Sequence, residues 1–484
     1  MKSEILALKP QSVWKNFYNI NQIPRCSGNE TAVGEYITNF AEKLGLKWKR
    51  DNTGNIVIAK PASPGMENRP AIVIQGHLDM VCEKNKNTIH DFTKDPIRML
   101  IKDGWVTADG TTLGADNGIA VAMGMAVMED NTINHPPIEF LFTVDEETGL
   151  TGALELKSDF VNGRILLNID SEEEGALYIG CAGGQHTILK KTIQWINPHD
   201  DYKSFLLRIS GLRGGHSGLN IHEGYGNAIK LLARFLYSLT GEFHFHITNI
   251  NGGSKHNAIP REAEVIIDIP AKESEALSGL AANFNDVLKN EFKEVEKNVM
   301  LSVENHERPD KVFNTQFRDQ LIRLLHAMPH GVYAMSKAIE GLVETSTNMA
   351  VIETKADKVE LLTSQRSSIA SSIIDIASKV KAVGELAGFE VEEGGGYPAW
   401  APNPDSGLLK TCQEIFVKKY KKQARVKAIH AGLECGIIGE HYPGMDMISF
   451  GPDIEGAHSP DERIRIKSME HVWEFFQEIL REIK

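Results

Sequence analysis

Residues 71–83 read AIVIQGHLDMVCE. An apolar, β-branched run of strand length ends in His77-Leu78-Asp79, so one strand delivers a histidine and a carboxylate two positions apart. In extended chain, side chains at i and i+2 leave the same face. Asp79 can therefore accept the second ring N–H of His77, which orients an imidazole and raises its basicity as a metal ligand. The same design recurs. IEFLFTV (138–144) runs into Asp145-Glu146-Glu147, RILLNI (164–169) into Asp170, and MDMISF (445–450) into a loop carrying His458. Asp116, in TLGADNG, stands at the start of an Ala/Met-rich helical stretch, 117–130, whose methionines suit core packing. Apolar strands alternating with helices predict an α/β domain, a mixed sheet sandwiched by helices. Ligands of such sheets bind at the carboxyl ends of the strands, so residues distant in sequence converge on one edge.

Between about 187 and 399 the pattern changes. Shorter strands with period-two alternation (SFLLRISGL, FHFHITNI, AEVIIDIP) are interleaved with helices such as GNAIKLLARFLYSL. This predicts an α+β domain, with an antiparallel sheet open on one face, inserted into the α/β domain. The expected division is 1–186 with 400–484 as one discontinuous domain and 187–399 as the insert. NAIPREAEVIIDI (257–269) and NMAVIETKADKVELL (348–362) echo one another, and the insert has room for two copies of a small ferredoxin-like unit. His244 and His246 share one strand face, which reads as an exposed sheet surface able to pick up adventitious metal.

A chain of 484 residues exceeds one compact core. Its formal charge of −13 repels phosphate backbones and argues against nucleic acid as a partner. The basic run KKYKKQARVK (418–427) reads as a solvated helix face. Five scattered cysteines without a C-x-x-C argue for a reducing compartment and against a disulfide framework. With no signal-like N-terminus and no apolar run of spanning length, the expectation is a cytoplasmic protein without a membrane partner.

Two histidines and three carboxylates, one of them bridging, suit two Zn²⁺ ions roughly 3.5–4 Å apart, as in two-metal hydrolases. Asp116 lies at a turn where it can face both ions. Glu146 and Glu147 would point to opposite sides if their strand persisted, so one is expected to ligate and the other to act as general base toward a metal-bridged water. Any one of these acids is more often solvated than ligating; the ordered set carries the reading. No H-E-x-x-H or phosphate-binding glycine loop supports a competing chemistry.

GHLDMV, LGADNG, TVDEETG, NIDSEE and GAHSPDE, in that order, resemble the M20 family of di-zinc peptidases over essentially the whole chain. HAGLECG (430–436), the long insert and the overall length resemble its aminoacyl-histidine dipeptidase branch, the carnosinase-like peptidase D type. The resemblance implies that His77 and Asp170 hold one zinc and Glu147 and His458 the other, with Asp116 bridging. It implies Glu146 as general base and Asp79 as the clamp on His77. In the family an acidic residue commonly follows the bridging Asp through a cis peptide; here the follower is Asn117. The insert would be a lid, in which His216 of GLRGGHSG meets the scissile carbonyl. Asn257 and Arg366 would hold the substrate's terminal carboxylate, and Gly432 would offer backbone contact.

The activity implied is zinc-dependent hydrolysis of Xaa-His dipeptides, β-alanyl-histidine included, by a homodimer with two Zn²⁺ per subunit and Co²⁺ or Mn²⁺ as substitutes. Two alternatives stay open. One is another M20 activity: tripeptidase, broad-specificity dipeptidase or N-acyl amino acid deacylase. The other, of a different class, is a non-catalytic binding protein on the same fold; the full set of ligands and the presence of Glu146 speak against it.

Overall fold

The computed structural model describes residues 2–483 and separates into two compact units. The first comprises Met1–Cys181, Trp400–Ala428 and Leu433–Lys484; the second comprises Ala182–Ala399 and Ile429–Gly432. The division thus falls at 182 where 187 was expected. Ile429 and the first three residues of the HAGLECG segment lie in the second unit, which a sequence cannot show because it arises from tertiary pairing.

The first unit is built on an eight-stranded sheet. Its centre is parallel: Ile138–Thr143, Ile72–His77, Ile165–Asn168 and Asp446–Ser449 lie side by side in register. Every residue of the first two strands is buried, which is why they read as unbroken apolar runs. Antiparallel strands, Ile56–Lys60 and Ala176–Cys181, flank this centre. His77, Thr143, Asn168 and Ser449 therefore end on one edge of the sheet, and the candidate ligands follow from that edge.

The Ala/Met-rich stretch forms the helix Ala115–Glu129, buried on nearly every side. A helix enclosed in this way shows no amphipathic stripe. It lies close on the Ile72–His77 strand: a Cβ at Gly76 would run into the Asn117 side chain and stand 2.7 Å from Ala120 Cβ.

The second unit carries a nine-stranded sheet and a core that packs its helices on one face. Tyr202–Ser210, the helix Ala228–Leu239, His246–Gly252, Ala263–Pro270, the helix Ser274–Glu291 and Met300–His306 form a β-α-β-β-α-β unit. Its strands lie in the spatial order 4-1-3-2, the ferredoxin-like arrangement. Gly183–Thr192, the helix Thr315–Ala327, Val343–Thr354, Lys358–Ser367, the helix Ala370–Leu386 and Glu390–Tyr397 repeat that order. The unit is duplicated, with one copy inserted after the first strand of the other. The copies join through Gly252 opposite Ile352. AEVIIDI and KVELL, the halves of the faint sequence echo, begin the third strands of the two copies.

Three expectations change. Cys26 and Cys82 form a disulfide, with Cα atoms 5.7 Å apart, whereas Cys181, Cys412 and Cys435 are free and buried. The pairing follows from the β-bridge of Cys26 with Met80, a contact that sequence spacing does not encode. His246 is 1% exposed and does not lie on a solvated surface. The strand before Glu146 ends at Thr143, and Asp145 turns the chain with φ 52° into the helical turn Glu146–Gly149. Among the described residues no helix is long and apolar enough to cross a membrane.

Candidate metal centre

At the sheet edge, three overlapping sets of side chains have ligand atoms within 4.8 Å of one another: His77, Asp116 and Asp170; Asp116, Glu147 and His458; and His77, Glu146 and Glu147. His77 Nε2 lies 3.2 Å from Asp116 Oδ1 and 3.5 Å from Asp170 Oδ1. His458 Nε2 lies 3.1 Å from Asp116 Oδ2 and 3.0 Å from Glu147 Oε2. Asp116 is thus shared, with one oxygen toward each histidine. The Asp145 turn brings Glu146 and Glu147 to one side, so the opposite orientations expected of a continuing strand do not occur.

The centre is held from behind. His77 turns its other nitrogen, Nδ1, to Asp79, 3.3 Å from Oδ1. Asp79 also accepts Ser27 Oγ at 2.8 Å and the backbone N–H groups of Glu146 and Glu147 at 3.1 and 3.2 Å. One buried carboxylate therefore fixes a histidine and the turn bearing two glutamates. Glu462 accepts the N–H groups of Leu113, Gly114, Ala115 and Asp116 at 2.7–3.2 Å. It sits four residues after His458, so it ties the loop of one candidate ligand to the helix start of another. Arg25, 2% exposed, donates to the carbonyls of Leu78, Asp79 and Gly114. The Asp116–Asn117 bond is cis, and Asn117 Nδ2 donates to Ile169 O beside Asp170. Glu462 closes the GAHSPDE motif, but the sequence reading gave a role there to His458 alone; no sequence signal marks Arg25.

The electrostatics call for cations. Burial pulls His77 down, but Asp170, Asp116 and Asp79 more than offset it and hold it protonated well above 6.5. Asp116 and Glu147 push His458 up to about 11. Burial raises Asp116, yet the bonds from His458 and His77 outweigh it and hold its carboxyl below the usual range. Burial drives Glu146 well above the usual range, helped by Asp170, Glu147 and Glu434, and drives Asp170 up to about 6. Glu147 Oε1 is buried without a hydrogen-bond partner. Four carboxylates around two imidazoles, with one orphaned oxygen, match the charge and donor set of two divalent metal ions.

The remaining candidates lie in the second unit. His216 and Ala258 are cross-strand partners, and Ser217 N donates to Asn257 O at 2.8 Å. His216 and Asn257 line one side of a cavity of about 750 Å³. Arg366 is buried on the Lys358–Ser367 strand, donates to Tyr397 Oη at 2.7 Å and leaves Nε without a partner. Gly432 packs on the ring of Tyr397, where a Cβ would come within 2.7 Å. His430, which sequence reading passed over, links these groups. Burial, then Arg366 and His216, hold it down to about 3, and its Nε2 meets Ser346 Oγ at 2.7 Å.

Residues 73–482 match Peptidase family M20/M25/M40. The chain belongs to this family. It is 43% identical over 481 residues to the cytosol non-specific dipeptidase of Escherichia coli (strain K12), covering 99% of each chain. It superposes on the crystal structure of aminoacylhistidine dipeptidase from Vibrio alginolyticus with a TM-score of 0.91 at 42% identity, covering 100% of this chain and 99% of that one. A tripeptidase from Staphylococcus aureus shares the fold at a TM-score of 0.57 and 18% identity, over 98% and 99% of the two chains.

Proposed function

We propose that this metallo-dipeptidase of family M20 hydrolyses Xaa-His dipeptides, β-alanyl-histidine among them, using two Zn²⁺ ions per subunit. The observation that carries the reading is the set of overlapping ligand groups sharing Asp116, with Glu146 half-buried beside them. The full-length relationship to the Escherichia coli and Vibrio alginolyticus dipeptidases supports the substrate class. His77 and Asp170 would hold one ion, Glu147 and His458 the other, and Asp116 both. Such ions, when bound, lower the pKa of water toward about 7 and polarise a carbonyl.

The chain's own groups do the rest. Asp79 keeps His77 in one tautomer and orientation. Glu146 takes the proton of the attacking water and returns it to the departing amine nitrogen, as a carboxylate within reach of both can. His216 donates to the oxygen on which negative charge develops, an interaction worth a few kcal/mol. Arg366 and Asn257 hold the terminal carboxylate of the substrate, and the planar guanidinium suits that partner bidentately. Gly432 leaves room for a backbone contact. In this reading the second unit is the lid and the active species is a homodimer.

Release of free histidine from β-alanyl-histidine by the zinc-loaded protein tests the proposal, against a tripeptide and an N-acetyl amino acid. Fast release with both comparators slow supports it. Turnover of a comparator without histidine release overturns the substrate while keeping the two-metal centre. We also place the protein in the cytoplasm, with support from the cytosolic name of the Escherichia coli relative. The Cys26–Cys82 disulfide is the feature that stands against a reducing compartment.

A further inference from the structure

On the open face of the nine-stranded sheet, away from the helices, Ser204, Asp268 and His246 stand in one cross-strand row. Such a face ordinarily carries solvated polar groups, yet Asp268 is 0% and His246 1% exposed. Directly opposite residues on neighbouring strands have Cβ atoms about 4.5–5.5 Å apart. His246 Nδ1 lies 3.0 Å from the carbonyl oxygen of Phe313, which can only accept, so Nδ1 carries the proton and Nε2 presents a bare lone pair. That Nε2 is buried without a hydrogen-bond partner. Asp268 uses Oδ1 to accept Ser204 Oγ at 2.9 Å, while Oδ2 is likewise buried and unpartnered. A buried imidazole nitrogen and a buried carboxylate oxygen, both lacking a partner on one face of one sheet, are a costly pair to leave unsatisfied.

Two exposed histidines close the surround. The His199 ring lies 5.5 Å from that of His246, and the His244 ring lies 4.8 Å from it. His199 and His244 are 6.5 Å apart. Three imidazoles on one tetrahedral Zn²⁺, with Zn–N bonds of about 2.0–2.1 Å, have ring centres roughly 5 Å apart. The two separations from His246 are close to that figure, the His199–His244 separation is longer, and the ligand atoms do not converge within 4.8 Å as those of the first unit do. Metal binding there requires rotation of the two solvent-exposed rings, His199 out of its stack on His246, a motion of picoseconds to nanoseconds. His244 would exchange one of its contacts, Tyr202 Oη at 3.1 Å or Thr315 Oγ1 at 3.3 Å, for the metal.

We propose that His246 Nε2 and Asp268 Oδ2, completed by His199 and His244, form a cation site in the second unit, separate from the catalytic centre and suited to a borderline divalent metal such as Zn²⁺. The carbonyl behind His246 supplies the outer hydrogen bond that fixes a ligating tautomer. Burial holds His246 down to about 4, so at neutral pH no proton competes for the nitrogen. Two arginines act on the cluster, and both are neutralised: Arg318 pairs with Asp319 at 2.6 Å and Arg308 with Asp200 at 2.8 Å.

The test is zinc stoichiometry of the full chain by equilibrium dialysis and elemental analysis. The wild type is compared with a His199→Ala/His244→Ala double variant and with Asp268→Asn. The double variant changes only exposed side chains and keeps the fold. It should bind one zinc fewer per chain, a difference that does not depend on how many ions the catalytic centre holds. Asp268→Asn should weaken the additional ion at least tenfold. Equal stoichiometry in wild type and double variant overturns the site and leaves the buried pair to a bridging water. Unchanged affinity in a folded Asp268→Asn also overturns it, because the ion would then be adventitious on the exposed histidines.

Discussion

Glu146 and Glu147 are chemically identical neighbours that the fold brings to one side but gives different partners. Glu147 reaches His458 at 3.0 Å, whereas burial and the charges of Asp170, Glu147 and Glu434 act on Glu146. Glu146→Gln keeps the size and burial of the side chain but removes its basicity. The expected outcome is unchanged zinc content with kcat lowered about 10²–10⁴-fold, the range for loss of a positioned general base. A near-normal kcat in the zinc-loaded variant would take the proton-transfer role away from Glu146. At this scale the residues that the fold brings to one sheet edge stand out in the sequence, because strand ends followed by His or Asp are a local pattern. The sequence gives no sign of Arg25 and His430, whose contacts with Leu78 and Ser346 span more than 50 positions.

A strand end, a helix start and the loops carrying Glu146 and Glu147, Asp170 and His458 bring the centre together. Glu462 satisfies four successive N–H groups at the start of the Ala115–Glu129 helix. In Glu462→Gln the amide nitrogen faces donors, and hydrogen bonds to a charged acceptor are worth about 1.5–3 kcal/mol each. We expect a lower thermal midpoint and weaker zinc binding together; zinc affinity equal to wild type would show that Asp116 holds its place without this carboxylate. Gly76 sets the separation of the His77 strand from the same helix. Gly76→Ala drives a methyl into Asn117 and Ala120, an overpacking that costs about 1–3 kcal/mol. Urea denaturation checks this, and an unchanged midpoint would mean that the helix shifts freely. The strands and this helix were expected from apolar runs. The turn at Asp145 was not, because nothing in TVDEETG marks where a strand gives way to a left-handed residue.

Stability of the whole chain should depend in part on a half-buried neutral histidine, His330. Burial, assisted by Lys230, holds His330 down to about 4 against 6.5 in an unfolded chain. The folded state therefore binds fewer protons between these values, and the contribution is complete above pH 6.5 and lost as pH falls from 6.5 to 4. Its full size is at most ~3.4 kcal/mol. His330→Gln should flatten the fall in denaturant midpoint over that window, and an unaltered slope would show that His330 titrates freely. The disulfide predicts three reactive thiols in denaturant without reductant and five after reduction; five without reductant would refute the pairing. By itself the sequence determined the α/β class, the presence of an inserted α+β region and the identity of the residues at the strand ends, because hydrophobic periodicity and strand-end ligands are local. Tertiary structure alone decided that Asp116 faces both histidines, that Cys26 meets Cys82, that His246 and Asp268 are buried opposite one another and that the insert is a nested duplication. Each of these depends on which strands lie side by side, and strand order is set by packing between segments remote in sequence.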